Sequence, residues 1–368
     1  MKTVQRLLYK EIIQAVVFVA CGFLALFIFF DLVEELQNLN RMAHTGYRLQ
    51  HGLIQVALKA PGHLYELMPI SVLIGTIFVM ARLAQSSEFT ILRTGGLEPV
   101  QALTLLLRLG VGFVLVTFLL GDYIGPWGER QSTLLKSQFR GAITTGQTGA
   151  WLKERRPGSH TAVNVKAFND KAHMVGVRIH QFNAQGELLA ITHAATGEFG
   201  NGVWQLRDVE REELKNDGPQ QSARLDIQKM ARLDWPTSIT ADMVGAALLS
   251  PDQMKIWDLL LYTRHLSSNN QNAQQYEIQL WRKVFYPLSC LVMLTLALPF
   301  AYLHFRSGQI AGHVFGGVMA GISFYLLNNV FGHIGNLQNW VPWITSAAPS
   351  LLYTLVSLAA FAWMVNKQ

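Results

Sequence analysis

The chain has little charge: 15% of its 368 residues are Asp, Glu, Lys or Arg, against roughly 25% in ordinary soluble domains. With half its residues apolar, it does not read as a wholly water-facing protein. Cysteine is almost missing. Cys21 and Cys290 both lie inside apolar runs, where a thiol acts as a small hydrophobe, so neither a disulfide framework nor a paired-cysteine metal site is indicated. No Gly-x-x-x-x-Gly-Lys-Ser/Thr loop is present to cradle phosphates, and no His-Glu-x-x-His helix to hold zinc. No catalytic cluster emerges either, so the chain reads as non-catalytic, with no cofactor of its own. Any ATP used in its work would be hydrolysed by another chain. The formal charge of +6 is scattered among acids, without the basic stripe interleaved with aromatics that nucleic-acid binding requires.

What charge there is lies in the middle. Of the 54 charged residues (30 basic plus 24 acidic), 36 fall between Asp122 and Lys283, which leaves 18 for both ends. A helix crosses the hydrocarbon core with about 20 apolar residues at about 1.5 Å each. Ile12 to Phe30 meets this length. It follows Lys2, Arg6 and Lys10 as a signal peptide would, but is too long for a cleaved one and no small-residue cleavage site follows, so it reads as a retained first span. Leu67 to Ala81 gives a short second span, Pro99 to Gly121 a third, and Val284 to Phe305 a fourth. Ser307 to Asn366 contains no charged residue and breaks at Gly332 to Pro342 into the fifth and sixth.

Basic residues in short loops stay in the cytoplasm. With the amino terminus inside, the inner segments hold Lys2, Arg6, Lys10, Arg82, Arg93, Arg306 and Lys367, and the outer short loops only Arg41, Arg48 and Lys59. Both termini are therefore expected in the cytoplasm and the charged middle outside, in the periplasm of a two-membrane bacterium. The expected division is 1–121 for spans one to three, 122–275 for the outer domain and 276–368 for spans four to six.

The middle has the period of a half-buried sheet. Val175, Val177 and Ile179 alternate with Gly176, Arg178 and His180. Further strands are expected at Thr161 to Val165, Leu188 to His193 and Val203 to Val209, with turns at Asn183 to Gly186 and a tight hairpin at Gly200-Asn-Gly202. Several short strands at this spacing suggest a sandwich or an open barrel. After them Ser250-Pro251-Asp252 looks like a helix start leading into Ile256 to Leu266, and Asn269 to Gln275 a polar connector back to the membrane.

The inner loop Met80 to Gly96 carries a candidate site. Leu83, Ala84, Phe89 and Leu92 can share an apolar face, Ser86 or Ser87 can cap a helix, and Gly95-Gly96 can end it. The result is a short amphipathic helix near 84–95. Two readings stand: an interfacial connector with Glu88 solvated, or a docking helix that passes force from a soluble motor. Arg108 sits roughly 14 Å along the third span, as a pathway residue or as one whose stem reaches the surface. His313 and His333 lie near the ends of span five, where a histidine is more often satisfied at an interface than a ligand. Gly312, Gly316, Gly317, Ala320 and Gly321 make a small-residue face on that span, for subunit contact or internal packing. Arg130, Lys136 and Arg140 follow span three, as a solvated basic face or one that meets phosphorylated headgroups.

Four segments carry a family resemblance: MARLAQSSEFTILRTGG, GDYIGPWGERQ, YEIQLWRKVFYPLS and SFYLLNNVFG, in this order. Together they resemble the LptF/LptG (YjgP/YjgQ) family of lipopolysaccharide export permeases, over essentially the whole chain. The resemblance implies an α-helical membrane protein with six transmembrane helices and an inserted periplasmic β-jellyroll-like domain. It also implies a permease subunit of an ATP-driven ABC transporter in the bacterial inner membrane, with a paralogous permease (LptF) and an LptB ATPase dimer as partners. Lipopolysaccharide would pass to LptC and LptA on a periplasmic bridge toward the outer membrane. Glu88 matches the acidic position of the family's coupling helix, so Ser87, Glu88, Phe89 and Arg93 form the expected ATPase-coupling set. Lys136 matches a basic position facing the lipid's phosphates, and with Arg130, Arg140 and Arg41 forms the expected substrate set. Thr133 stands where the family can carry an Arg, and Asp31, Gln37 and Asn38 stand where basic residues are expected, so that Arg41 or Arg48 would have to compensate. The competing reading is an ATP-coupled machine that moves its outer domain without passing lipid.

Overall fold

A computed structural model describes residues 2–42, 46–96, 98–140, 149–169, 173–200, 202–215, 224–247, 249–302 and 310–366. The chain divides into two compact units, Met1–Glu129 with Glu277–Gln368, and Arg130–Tyr276.

The first unit is helical. It begins with α1 (Lys2–Met42), α2 (Leu49–Gln85), a short α3 (Glu88–Thr94) and α4 (Pro99–Leu119), which passes through a π-helical turn (Leu120–Ile124) into α5 (Gly125–Arg140), whose residues from Arg130 on belong to the second unit. The 41 residues of α1 rise roughly 60 Å at 1.5 Å per residue, twice the roughly 30 Å hydrocarbon core. The apolar runs thus mark only part of each helix. The second span, expected to be short, belongs to a helix of 37 residues whose polar first half is zipped to α1. There Asp31 accepts from His63 at 2.7 Å with Lys59 at 4.0 Å, and just before α2 Tyr47 donates to the buried Glu35 at 3.0 Å. Glycine allows closer approach further along: a Cβ on Gly75 would lie 2.7 Å from the backbone nitrogen of Val16.

The fourth span also differs from expectation. It starts at α8 (Gln274–Phe285), ahead of the apolar run, and continues as α9 (Ser289–Ala297) and a 3-10 turn (Leu298–Tyr302) after a bend of 47°. Pro287 has no N–H for the Lys283 carbonyl, and the chain crosses the gap with three-residue turns, Ser289 N to Tyr286 O at 3.1 Å and Cys290 N to Pro287 O at 3.2 Å. The last spans are α10 (Ile310–Leu337) and α11 (Pro342–Asn366). Counting the bent pair as one, six segments among the described residues are long and apolar enough to cross a membrane.

The small-residue face of α10 resolves into internal packing at two positions. A Cβ on Gly317 would collide with Ile77 of α2 and one on Gly321 would lie 3.1 Å from Ile70, while Gly312 and Gly316 meet nothing within 4 Å. Two glycines one turn apart let α10 lie against α2. The core of this unit gathers Ile12 and Val16 of α1, Leu73, Ile77 and Met80 of α2, Leu106 of α4, Met293 and Leu294 of α9, and Phe324 of α10.

The second unit is a six-stranded antiparallel sheet in sequential order. Its strands are β1 (Ala150–Arg156), β2 (Ser159–Asn169), β3 (His173–Asn183), β4 (Leu188–Gly200), β5 (Val203–Lys215) and β6 (Arg224–Trp235). All four expected strands are present but longer, and β1 and β6 are additions. The expected hairpin pairs Gly200 with Val203 and Phe199 with Trp204. At the other turn Asn183 Oδ1 accepts from Gln185 N at 3.0 Å and Glu187 N at 2.8 Å.

The expected alternation fails at one residue. Val177 and Ile179 are buried but Val175 is 44% exposed, and Met174 takes its place inside. Gly176 at φ +66 and Asp208 at φ +51 interrupt their strands at matching registers. The phase of burial therefore shifts across the sheet together, with Trp204 and Leu206 on one side of the break and Val209 on the other.

After β6 come α6 (Ala241–Ala247) and α7 (Ile256–Ser268). Trp204 Nε1 donates to Ile239 O at 2.7 Å, so the loop that leads into α6 is fixed to the sheet's buried face. Ser250-Pro251 opens only a 3-10 turn (Pro251–Gln253), and α7 begins five residues later than the cap signal suggested, with Asp258 accepting from Lys255 N at 3.4 Å.

Candidate functional site

The loop between α2 and α4 holds the expected coupling set. Ser86 N bonds to Arg82 O at 2.9 Å and Ser87 N to Ala84 O at 3.3 Å, which closes α2. Ser87 then takes φ +59, in the left-handed region, and the chain turns into α3. Serine acts here by backbone geometry, not by side-chain capping as the sequence suggested. Ser86 Oγ donates back to Leu83 O at 3.3 Å, and Ser87 supplies its carbonyl to Ile91 N at 3.1 Å. At the far end Gly95 N bonds to Ile91 O at 2.9 Å and Gly96 takes φ +99, the expected glycine stop.

A helix of seven residues does not hold itself in water. Phe89 supplies the anchor: it is 3% exposed, belongs to the core of the helical unit and meets the ring of Tyr302 edge-on at 5.0 Å. Opposite it, Ile91 is 67% exposed. Glu88, next to the anchor, is exposed at the first helical position, where a carboxylate also complements the helix dipole. Arg82, just before the turn, pairs with Glu11 of α1 at 2.6 Å. The loop therefore presents an acid and an exposed aliphatic on a platform fixed to α1, α2 and the turn after α9. The side chains of Leu92 and Arg93 lie outside the described residues.

The expected substrate residues are more dispersed. Lys136 and Arg140 lie on α5 four residues apart, the spacing of one helix face. Arg130 is exposed and Lys136 half-buried, while the side chains of Arg140 and Arg41 lie outside the description. Thr133, in the place of a family Arg, accepts from Gln253 Nε2 at 3.2 Å. Asp31 is held by His63 and Lys59, so Lys59, one of the few basic residues expected outside, is partly neutralised. Arg48 and Arg108 are exposed, as is His333; His313 lies outside the described side chains. Among the described residues no group of three or more His, Cys, Asp or Glu is placed to hold a metal ion.

Sequence reasoning missed a polar junction at the bend of span four. Arg282 NH2 donates to Asn329 Oδ1 of α10 at 2.8 Å, Lys283 Nζ to Gly121 O in the π-helical turn at 2.8 Å, and Tyr286 OH to Glu66 O of α2 at 2.6 Å. Tyr325 OH reaches Glu66 Oε2 at 3.4 Å. The available signal was Arg-Lys followed by Pro287 at the edge of an apolar run.

In the second unit the buried Glu154 accepts from Ser238 N at 2.8 Å and Thr237 Oγ1 at 2.7 Å, with Arg156 NH2 at 3.2 Å. Burial alone would raise its pKa, but these hydrogen bonds and the guanidinium outweigh it and hold the carboxyl below its ordinary value. Burial lowers the pKa of His265 below its ordinary value, against the pull of Glu154.

Six apolar spans, an antiparallel β domain inserted after the third and a short anchored helix between the second and third define a multi-pass membrane permease with an inserted β-jellyroll-like domain. The profile of the family described as lipopolysaccharide export system permease LptF/LptG matches residues 6–363, and the chain belongs to that family. It is 26% identical over 341 residues to the lipopolysaccharide export system permease protein LptG of Escherichia coli strain K12, covering 92% of this chain and 91% of that protein. Over 371 aligned residues it is 25% identical to LptG of Haemophilus influenzae, covering 100% of this chain and 99% of that protein. It is thus an LptG-like, multi-pass inner-membrane permease of lipopolysaccharide export.

Proposed function

We propose that this chain is the LptG-type permease of an ATP-driven ABC exporter that extracts lipopolysaccharide from the inner membrane. It would work with LptF, an LptB ATPase dimer, LptC and LptA, with both termini in the cytoplasm. The observation that carries the coupling reading is α3 itself. Phe89 is locked into the helical core while Glu88 and Ile91 face outward, so a push on the exposed face is delivered to the packed spans and not absorbed by a loose loop. Nucleotide binding by the partner ATPases would displace this platform, narrow a cavity lined by spans of the two permeases and expel the lipid outward. The chain itself would supply no catalytic group and no cofactor site. The lipid's acyl chains would occupy the apolar cavity and its phosphates would meet Lys136, with Arg130, Arg140 and Arg41 as the other basic groups offered.

The test is the complex purified from its native membrane and reconstituted. Glu88→Ala is expected to remove ATP-driven lipid release and weaken recovery of the ATPase, while the chain stays folded. Intact recovery and intact release would sink the coupling assignment. Recovery of an ATPase without a second permease or lipopolysaccharide would instead support a machine that moves its outer domain without passing lipid.

A further inference from the structure

The bend of span four lies at the opposite end of that span from the contact between Phe89 of α3 and Tyr302. Two of the permease's spans have their α-helical hydrogen-bond ladder interrupted side by side: α4 runs continuously into α5 through a π-helical turn at Leu120–Ile124, and α8 runs into α9 through a bend of 47° at Pro287. Breaks of both kinds remove backbone bonds from the helical ladder, and a freed carbonyl within apolar surroundings needs another donor. Lys283, 5% exposed, donates from Nζ to the Gly121 carbonyl at 2.8 Å. One break is therefore fastened to the other by a buried ammonium.

The seat of this contact is built to fit. A Cβ at Gly121 would collide with the ring of Tyr65, which packs on Tyr286 at 5.0 Å. Tyr286 in turn donates to the Glu66 carbonyl, and Arg282 to Asn329. Within five residues the bend thus reaches spans two, three and five, each through a polar group of a different type. A lysine among apolar spans is costly and marks function by default. A span that needed only to be straight would have neither the proline nor the lysine.

We propose that Lys283 is a positioning residue: it latches the α8 side of the span-four bend to the π-helical turn of span three, so that the two broken spans move as one body during the transport cycle. The latch is a property of the fold, whereas its effect on lipid release rests on the transport reading above. Without Lys283, α8 would pivot about Pro287 independently of α4, and displacement at α3 would be lost in bending.

The two layers separate in one experiment on the whole complex in lipid nanodiscs. Spin labels at Val116 on α4 and Trp281 on α8, both surface positions, are introduced as cysteines with Cys21 replaced by Ser. The distance between them is measured by pulsed electron resonance, alongside ATP hydrolysed and lipopolysaccharide released. Wild type is expected to give one narrow distance distribution, Lys283→Met a broad one with about tenfold less lipid released per ATP, and Lys283→Arg a return toward wild type. If Lys283→Met does not accumulate, Lys283→Gln replaces it, with an amide too short to reach the Gly121 carbonyl. A narrow distribution in these variants overturns the latch. A broad distribution with unchanged lipid per ATP overturns the positioning role. A wild-type complex that hydrolyses ATP without releasing lipid overturns the transport reading, and the distance measurement still decides the latch.

Discussion

Truncating the anchor of α3 tests the platform directly. Phe89 is 3% exposed and packed edge-on against Tyr302. Phe→Ala at a site of this kind costs about 3–5 kcal/mol, of which the aromatic pair contributes about 0.5–1.5 kcal/mol. The seven residues of α3 have no comparable second anchor among the described side chains, and a helix so short has no stability of its own to set against the loss. Taking the lower figure, about 3 kcal/mol shifts the docked-to-undocked ratio by roughly a hundredfold. Hydrogen exchange of the amides from Ser87 to Gly96 in the lipid-embedded chain would read this as lost protection at Ile91 and Gly95, whose bonds to Ser87 and Ile91 close the helix. Phe89→Leu keeps most of the burial and should keep most of the protection. Ile91→Ala, at a residue 67% exposed, should leave protection unchanged and act only on ATPase recovery. Unchanged protection in Phe89→Ala, or equal losses in Phe89→Ala and Ile91→Ala, would refute the anchored platform.

The remaining predictions concern packing, pH and charge. Gly317→Leu drives a side chain into Ile77 and should cost a few kcal/mol by overpacking, read as a lowered melting temperature, while Gly316→Leu, with nothing within 4 Å, should be neutral in the isolated chain. Stability of the β unit should fall as pH drops below about 6.5 and again below about 4.5, because burial lowers His265 and hydrogen bonding lowers Glu154 from those ordinary values. In each window the unfolded chain takes up the proton first, so the stabilising contribution is complete above the unfolded value and is lost as pH falls through the folded one. Hydrogen exchange of 150–235 against pH checks this, and Glu154→Gln should abolish the lower step. Lys136→Ala should weaken photocrosslinking of lipopolysaccharide to the complex without changing ATPase recovery; unaltered crosslinking would remove Lys136 from the phosphate contacts.

Much was legible because it is local. Apolar run length marks spans, alternation marks strands, and Gly-Asn-Gly or Gly-Gly marks a turn or stop, each depending on neighbours in the chain. The α3 helix and its glycine stop follow from that, as do the hairpin at Gly200 and the division into apolar ends and a charged middle. Hydropathy marked only the α9 part of span four, because Arg282 and Lys283 count as charges in a window and nothing nearby in sequence shows that each has a partner.

By itself, then, the sequence determined the spans, the β character of the insertion and the family through its motifs, all set by residues within a few turns of one another. The tertiary structure alone decided the rest. Lys283 meets a carbonyl 162 residues away, Asp31 is taken by His63 and Lys59 of the neighbouring helix, and Gly176 and Asp208 shift the sheet's phase together across paired strands. For Lys283 and Asp31 the cost of a buried charge is offset by a group that only folding brings within reach.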